Sequence, residues 1–263
     1  MANDAAMQAS LQTPDALISC ILDMGELLLT NGAEVLRVED TISRLCAAYG
    51  FSRINVFSIT SSIVITVHNA DNQIFTQTRR IQKHDTNLQK IALANALSRQ
   101  LCASPVSVDV FQNRIAEIHS SSSCPMLMQC ACYAVISAVF SVFFGGSIMD
   151  GFTASISGVI MYFTLQFMQK LRMNSILQSM LVSAVTAFAV LLLVEVGIGH
   201  NPEKITIGNI MLLIPGIAFT TSLRDIINGD TISGLIGISE AIIKAIAIAI
   251  GFATVLVQMG GGL

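Results

Sequence analysis

The 263-residue chain carries 12% charged residues, a mean hydropathy of +0.68 and a formal net charge of −3. That balance excludes a nucleic-acid binder, which needs a basic surface. The charge deficit is local: residues 1–123 hold 9 of the 14 Lys/Arg and 11 of the 17 Asp/Glu, so the first part reads as one modest soluble core and the rest as membrane.

Residues 1–14 are polar, without a basic stretch or an apolar run after it. They read as a flexible N-terminus, not a signal peptide. Thr13-Pro14-Asp15 then opens a helix: a Thr N-cap, Pro at the first position and an acid in the first turn. Leu17, Ile18, Ile21, Met24 and Leu28 give it one apolar face. Asn31-Gly32 ends it. Asn31 and Glu34 have the spacing of a capping box for a second helix, which buries Val35, Val38, Ile42, Leu45 and Tyr49 and stops at Gly50.

The period then changes to two. Ile54 and Val56 alternate with Arg53 and Asn55, and Ile63, Ile65 and Val67 with Val64, Thr66 and His68. Asn69–Asn72 is a turn, and Gln73–Ile81 returns as a third strand. Asp85 or Thr86 is expected to cap a third helix, with Leu88, Ile91, Ala94, Leu97 and Leu101 inward. Ser104-Pro105 is expected to start a fourth, with Val108, Phe111, Ile115 and Ile118 on one stripe. The expected fold is thus an α+β cytoplasmic domain over 15–120 in the order ααβββαα. A linker over 121–125, with a Ser120–Ser123 joint, leads to an all-α membrane domain of five transmembrane helices over 126–263.

The five expected spans are Met126–Gly145, Ile148–Met168, Ile176–Val196, Ile205–Ile226 and Ile232–Val257. With the first domain cytoplasmic, the inner loops hold Lys170, Arg172 and Arg224 and the outer loops Lys204, in keeping with the positive-inside rule. An odd number of spans puts the C-terminus outside. The six cysteines form no C-x-x-C pair and read as free thiols in a reducing compartment.

Two places in the membrane half can carry chemistry. Pro215-Gly216 stands at the centre of the fourth span. Proline removes a donor and clashes with the preceding turn, so the helix kinks or breaks there. The second half-helix would present N-terminal amides, with Thr220 and Thr221 on its next turn, and such an end attracts a carboxylate. The same residues also suit an ordinary packing kink. The second place is Glu240 and Lys244, four residues apart on one face of the fifth span. Intramembrane charges usually face a bundle interior or a wet cavity. This pair can hold a zwitterion, pass protons or satisfy itself as a structural pair. Arg224-Asp225 and Gly229-Asp230 can gate entry or dock the first domain, and Asp225 is a further candidate for proton coupling.

The remaining groups have plainer readings. Asp150 reads as a cap of the second span, and Glu195 and His200 as solvated interfacial groups. Ser58, Ser61, Ser62, His84 and Asp85, near Arg79-Arg80, lack a nucleophile-elbow pattern and read as solvated surface. No Walker A or Rossmann pattern is present, so neither a nucleotide nor another cofactor nor a metal is expected.

Asn31-Gly32-Ala33-Glu34 with Arg37-Val38-Glu39, the Thr60–Val67 strand, Thr78-Arg79-Arg80-Ile81, and the Leu213–Glu240 stretch with its Pro-Gly, Arg-Asp and Gly-Asp-x-x-Ser-Gly elements together resemble the threonine/serine exporters. The likeness runs from about Asp15 to the end and rests on the order of these elements. It implies a bacterial inner-membrane, multi-pass exporter with a cytoplasmic N-terminal domain. It also implies the larger subunit of the split type, working with a smaller membrane subunit of about five spans. The substrates so implied are threonine and serine, or succinate as in a related branch.

The reading is therefore a non-enzymatic secondary exporter subunit, driven by the proton gradient, in contact with the lipid bilayer and a small polar substrate, and part of a higher-order oligomer. Pro215, Gly216, Thr220, Thr221, Arg224, Glu240 and Lys244 are the substrate-binding candidates; Glu240 and Asp225 are the proton-coupling ones. A membrane-anchored sensor or assembly protein is the alternative, although a pure anchor needs neither the break nor the charges. An intramembrane hydrolase would need a paired nucleophile and base.

Overall fold

The computed structural model describes residues 13–82, 85–121, 124–171 and 173–260. They fall into two compact units. One is drawn from Met1–Ser121 with Ile217–Ile238, the other from Ser122–Gly216 with Ser239–Leu263. The proposed flexible N-terminus before Thr13, His84, and the centre of the Ser120–Ser123 joint lie outside the described residues.

In the first unit, α1 (Pro14–Thr30) and α2 (Val35–Ala48) precede a meander of β1 (Ser52–Ile59), β2 (Ser62–His68) and β3 (Ile74–Arg80). Helices α3 (Leu88–Ala103) and α4 (Val108–Ser120) follow, and the expected order ααβββαα is present. The sheet is antiparallel in the order β1-β2-β3. Ile63, Ile65 and Val67 of the middle strand are fully buried, and the residues between them are half exposed, so one face of the sheet is covered. On the open face Thr66 and Thr76 share a hydroxyl hydrogen bond of 2.9 Å across β2 and β3.

Helix α1 is buried on more than the expected single face. Cys20, Leu22, Leu27 and Leu29 are buried along with Ile18, Ile21, Met24 and Leu28. It is the centre of the core, in contact with α2, α3, α4 and the sheet. Gly25 lets α2 approach closely: a Cβ there would stand 2.7 Å from the Ile42 δ-methyl.

Three caps differ from expectation. The Asn31–Glu34 box does not form, because the Asn31 amide donates back to Leu27 O at 2.7 Å; Glu34 is the N-cap residue of α2 and gives no side-chain cap. Asn87, not Asp85 or Thr86, caps α3 by accepting from Lys90 N at 3.0 Å, which leaves Leu88 exposed instead of inward. Ser107, not Ser104-Pro105, stands before α4. The inward stripe of α4 is as expected, with Val108, Phe111, Ile115 and Ile118 buried.

Along the rest of the chain, α5 (Met126–Phe143), α6 (Ile148–Lys170) and α7 (Ser175–Glu195) are each long and apolar enough to cross a membrane, as is the long α10 (Thr231–Gly260). The expected fourth span is broken into α8 (Pro202–Leu213) and α9 (Gly216–Ile227), a bent pair that makes a fifth crossing if counted as one. Small residues let the helices close on one another. A Cβ on Gly208 of α8 would stand 2.5 Å from Ser137 O of α5, and one on Gly158 of α6 would stand 2.5 Å from Ser137 Oγ. Large apolar side chains such as Leu127, Phe143, Phe163 and Phe167 point outward, as lipid requires.

Candidate functional site

The break between α8 and α9 follows from local sequence. Pro215 restricts the residue before it, and Ile214 is extended at φ −60° and ψ 127°, which ends α8. Gly216 then begins the 12-residue α9 in open space: a Cβ there would meet nothing within 4 Å among the described residues. The N-terminal end of α9 is thus exposed, with Ile217, Ala218 and Phe219. Of the two expected hydroxyls, that of exposed Thr220 donates back to Ile217 O at 2.9 Å. Thr221 is half-buried.

One turn further along α9, two charges engage the first unit's own fold. The Arg224 guanidinium contacts the Glu34 carboxylate at 2.8 Å. Asp225, 3% exposed, accepts the Val35 backbone N–H at 3.2 Å. Val35 is the first residue of α2, so a side chain 190 positions away supplies the cap that Asn31 and Glu34 do not. A carboxylate at that end also meets the positive pole of the α2 dipole. Arg224 and Asp225 are thus both in contact with the start of α2. Asp230 is half-buried in the turn after α9.

Glu240 and Lys244 differ from expectation. Glu240 is exposed and Lys244 half-buried, and no ion pair joins them among the described residues. The reason is the way α10 packs: Ala241, Ala247, Ile248 and Phe252 take its inner face, and Glu240 shares the bare face with Ile236, Ile243 and Ile250. Pro215, Gly216, Glu240 and Lys244 belong to the second unit; Thr220, Thr221, Arg224 and Asp225 belong to the first.

The sequence reading missed a neutral polar network in the second unit. The Asn209 amide of α8 donates to Ser157 Oγ at 2.7 Å and to Ile205 O at 3.0 Å, and its oxygen accepts from Ser137 Oγ at 3.1 Å. All three side chains are fully buried. The available signal was a lone amide in an apolar helix, with serines on the spans that turn out to face it. Asp150 does cap α6 in a box with Ser147, and also accepts the His200 and Asn201 amides at 2.7 and 3.0 Å, which ties down the start of α8.

Two of the groups read as solvated surface have structural partners, while Ser61, Arg80 and Asp85 are exposed as expected. Arg79 pairs with Asp23 at 2.7 Å and Glu26 at 3.3 Å, and Ser58 donates to Glu39. Burial raises the Asp23 carboxyl above its ordinary value, against the lowering effect of Arg79. Among the described residues no cluster of His, Cys, Asp and Glu has the make-up of a metal site.

Neither a curated protein nor a solved structure matches the chain. A protein family does: residues 19–259 match ThrE, the threonine/serine exporters. The match covers both units, including the break, Arg224-Asp225 and Glu240, and the apolar helices make the chain a multi-pass membrane protein. The chain belongs to the ThrE threonine/serine exporter family, a family of membrane transporters.

Proposed function

We propose that this chain is the larger subunit of a split exporter of the bacterial inner membrane. Its first substrates are threonine and serine, with a short dicarboxylate such as succinate as the second choice. The observation that carries the reading is the broken span inside a chain of this family. Helix α9 begins with an exposed first turn, Gly216–Phe219, and a helix N-terminus is a site for a carboxylate. Threonine, serine and succinate share that group. Thr220 and Thr221 stand on the following turn, where hydroxyls suit a polar substrate.

Lys244 would stabilise an ionised Glu240. Glu240 is the carboxylate proposed for proton coupling: outward movement of substrate would be balanced by a proton moving inward. Of the two candidate carboxylates, Asp225 is engaged with α2, which leaves the coupling to the exposed Glu240. An exposed intramembrane carboxylate calls for a further protein surface, and a smaller membrane subunit would supply it. The α+β fold would lie in the cytoplasm and the C-terminus outside.

The test is efflux of labelled threonine, serine and succinate from cells with and without the second subunit, using wild-type chain and Pro215→Ala. The expected result is proton-dependent efflux that needs both subunits and falls when the break is healed. Full transport by Pro215→Ala would remove the break from the mechanism. No efflux of any of the three substrates with both subunits present would overturn the reading.

A further inference from the structure

Three observations concern the segment 217–238, which belongs to the same compact unit as the α+β fold. First, Asp225 is buried against the N-terminus of α2, where its carboxylate accepts the Val35 amide. Second, Arg224 grips Glu34, the N-cap residue of the same helix. Third, α9 and the start of α10 form a close hairpin. Gly229 turns the chain at φ +101°, a left-handed conformation that side chains rarely take. Ser222 of α9 lies so near Gly234 and Gly237 that a Cβ on either glycine would clash with it. The hairpin therefore has no slack, and its two charged fixings both land on the first turn of α2.

Position along α9 gives these contacts a consequence. Thr220 lies four residues before Arg224, and Thr221 four before Asp225, so each hydroxyl shares a face with one clamp residue. Whatever holds Arg224 and Asp225 also sets the height and rotation of the threonines. We infer that Arg224 and Asp225 are positioning residues that clamp the half-helix α9 to the start of α2, so that the α+β fold sets where Thr220 and Thr221 stand during transport. This rests on the exporter reading for its transport arm. The clamp itself is a property of the fold and is measured separately.

The two fixings differ in strength. Asp225 is buried, so removing its carboxylate leaves the Val35 amide without that acceptor at a helix end. The Arg224–Glu34 pair has a largely exposed guanidinium, and exposed pairs contribute little singly. Asp225 is thus the main fixing and the ion pair the one that orients it.

The experiment joins hydrogen exchange on the purified full chain with efflux from cells that contain both subunits. Asp225→Ala is expected to speed amide exchange in 217–227 and at Val35 roughly tenfold, with little change in α5–α7, and to lower efflux. Asp225→Asn keeps an acceptor oxygen of the same size, and should keep most of the protection and most of the efflux. Arg224→Ala and Glu34→Gln, neither of which strands a fully buried charge, should each speed exchange about twofold. The exchanged pair Glu34→Arg with Arg224→Glu should restore it.

Unchanged exchange at 217–227 in Asp225→Ala would overturn the clamp. Faster exchange with normal efflux would show that it plays no part in transport. Protection kept but efflux abolished in Asp225→Asn would mean that the carboxylate's charge is used directly, which also overturns the inference. A wild-type chain that moves none of the substrates would sink the exporter reading, while the exchange measurements would still decide the clamp.

Discussion

Asn209 Nδ2 lies 2.7 Å from Ser157 Oγ, and Asn209 Oδ1 lies 3.1 Å from Ser137 Oγ, so one buried amide joins α8 to both α6 and α5. In an apolar bundle this satisfies both donors and the acceptor of the amide. It also fixes the half of the broken span that precedes Pro215. Asn209→Leu has a similar volume but no polar atoms, so it takes away the acceptor of the Ser137 hydroxyl and the donor to Ser157, whose own hydroxyl still donates to Thr153 O and Ala154 O. It should destabilise the protein by about 1–2 kcal/mol, the upper range for hydrogen bonds between membrane helices. Thermal unfolding in detergent, in a cycle with Ser137→Ala and Ser157→Ala, checks this. Additive effects of the three changes would show that the residues do not act as a network.

Gly208 stands one position before Asn209 and has a different task. A Cβ there would come within 2.5 Å of Ser137 O and 2.9 Å of Ser141 N, both backbone atoms. Backbone in a packed helix cannot give way as a side-chain tip can. Gly208→Ala should therefore push α8 from α5 and cost about 1–3 kcal/mol, although alanine is the better helix former. An unchanged melting temperature would mean that the two helices pack less tightly than described.

How much of this was legible in the sequence depends on the range of the interaction. The start of α1 at Pro14, the alternation in β2 and the breaking effect of Pro215 are set by neighbours in the chain, and each element is where those neighbours put it. The caps were harder. Asp85, Thr86 and Asn87 all have N-cap chemistry, and packing chose the last. The Asn31–Glu34 spacing signalled a box, but Glu34 is taken by Arg224 and the cap comes from Asp225. Only the three-dimensional fold can bring residues 190 positions apart to the same amide. The exposure of Glu240 was invisible for the same reason: periodicity gives a helix its faces but not the neighbour each face meets.

The Asp23–Arg79 pair gives the first unit a pH dependence. Burial raises the Asp23 carboxyl from its ordinary 3.8, more than the adjoining Arg79 lowers it. A raised value means that the folded state holds this proton more tightly than the unfolded chain does. The resulting stabilisation is complete below about 3.8 and fades as pH rises through the folded value. Asp23→Asn keeps the size, removes the titration and leaves Glu26 beside Arg79. Its melting temperature should gain on that of the wild type as pH rises from 4 to 7. A gap that shrinks over that range would show that the pairing with Arg79 outweighs burial.

Glu240 and Lys244 offer the sharpest separation of function from structure. Two charges that satisfied each other in the chain's interior would be a unit: removing either would strand the other, and removing both would be nearly neutral. The structure has no such unit, because Glu240 is exposed and the two residues form no ion pair among the described residues. Neutralising one therefore leaves no buried partner behind. Glu240→Gln and Lys244→Met should each leave the melting temperature of the isolated chain within the effect of about 0.5 kcal/mol usual for surface changes. Each should still abolish efflux if the charges hold substrate or carry the proton. The double change should then be as inactive as either single one. If instead the single variants melt early and the double variant recovers both stability and efflux, the residues are a structural pair and have no part in moving substrate. The exporter's charge handling would then fall to the exposed first turn of α9.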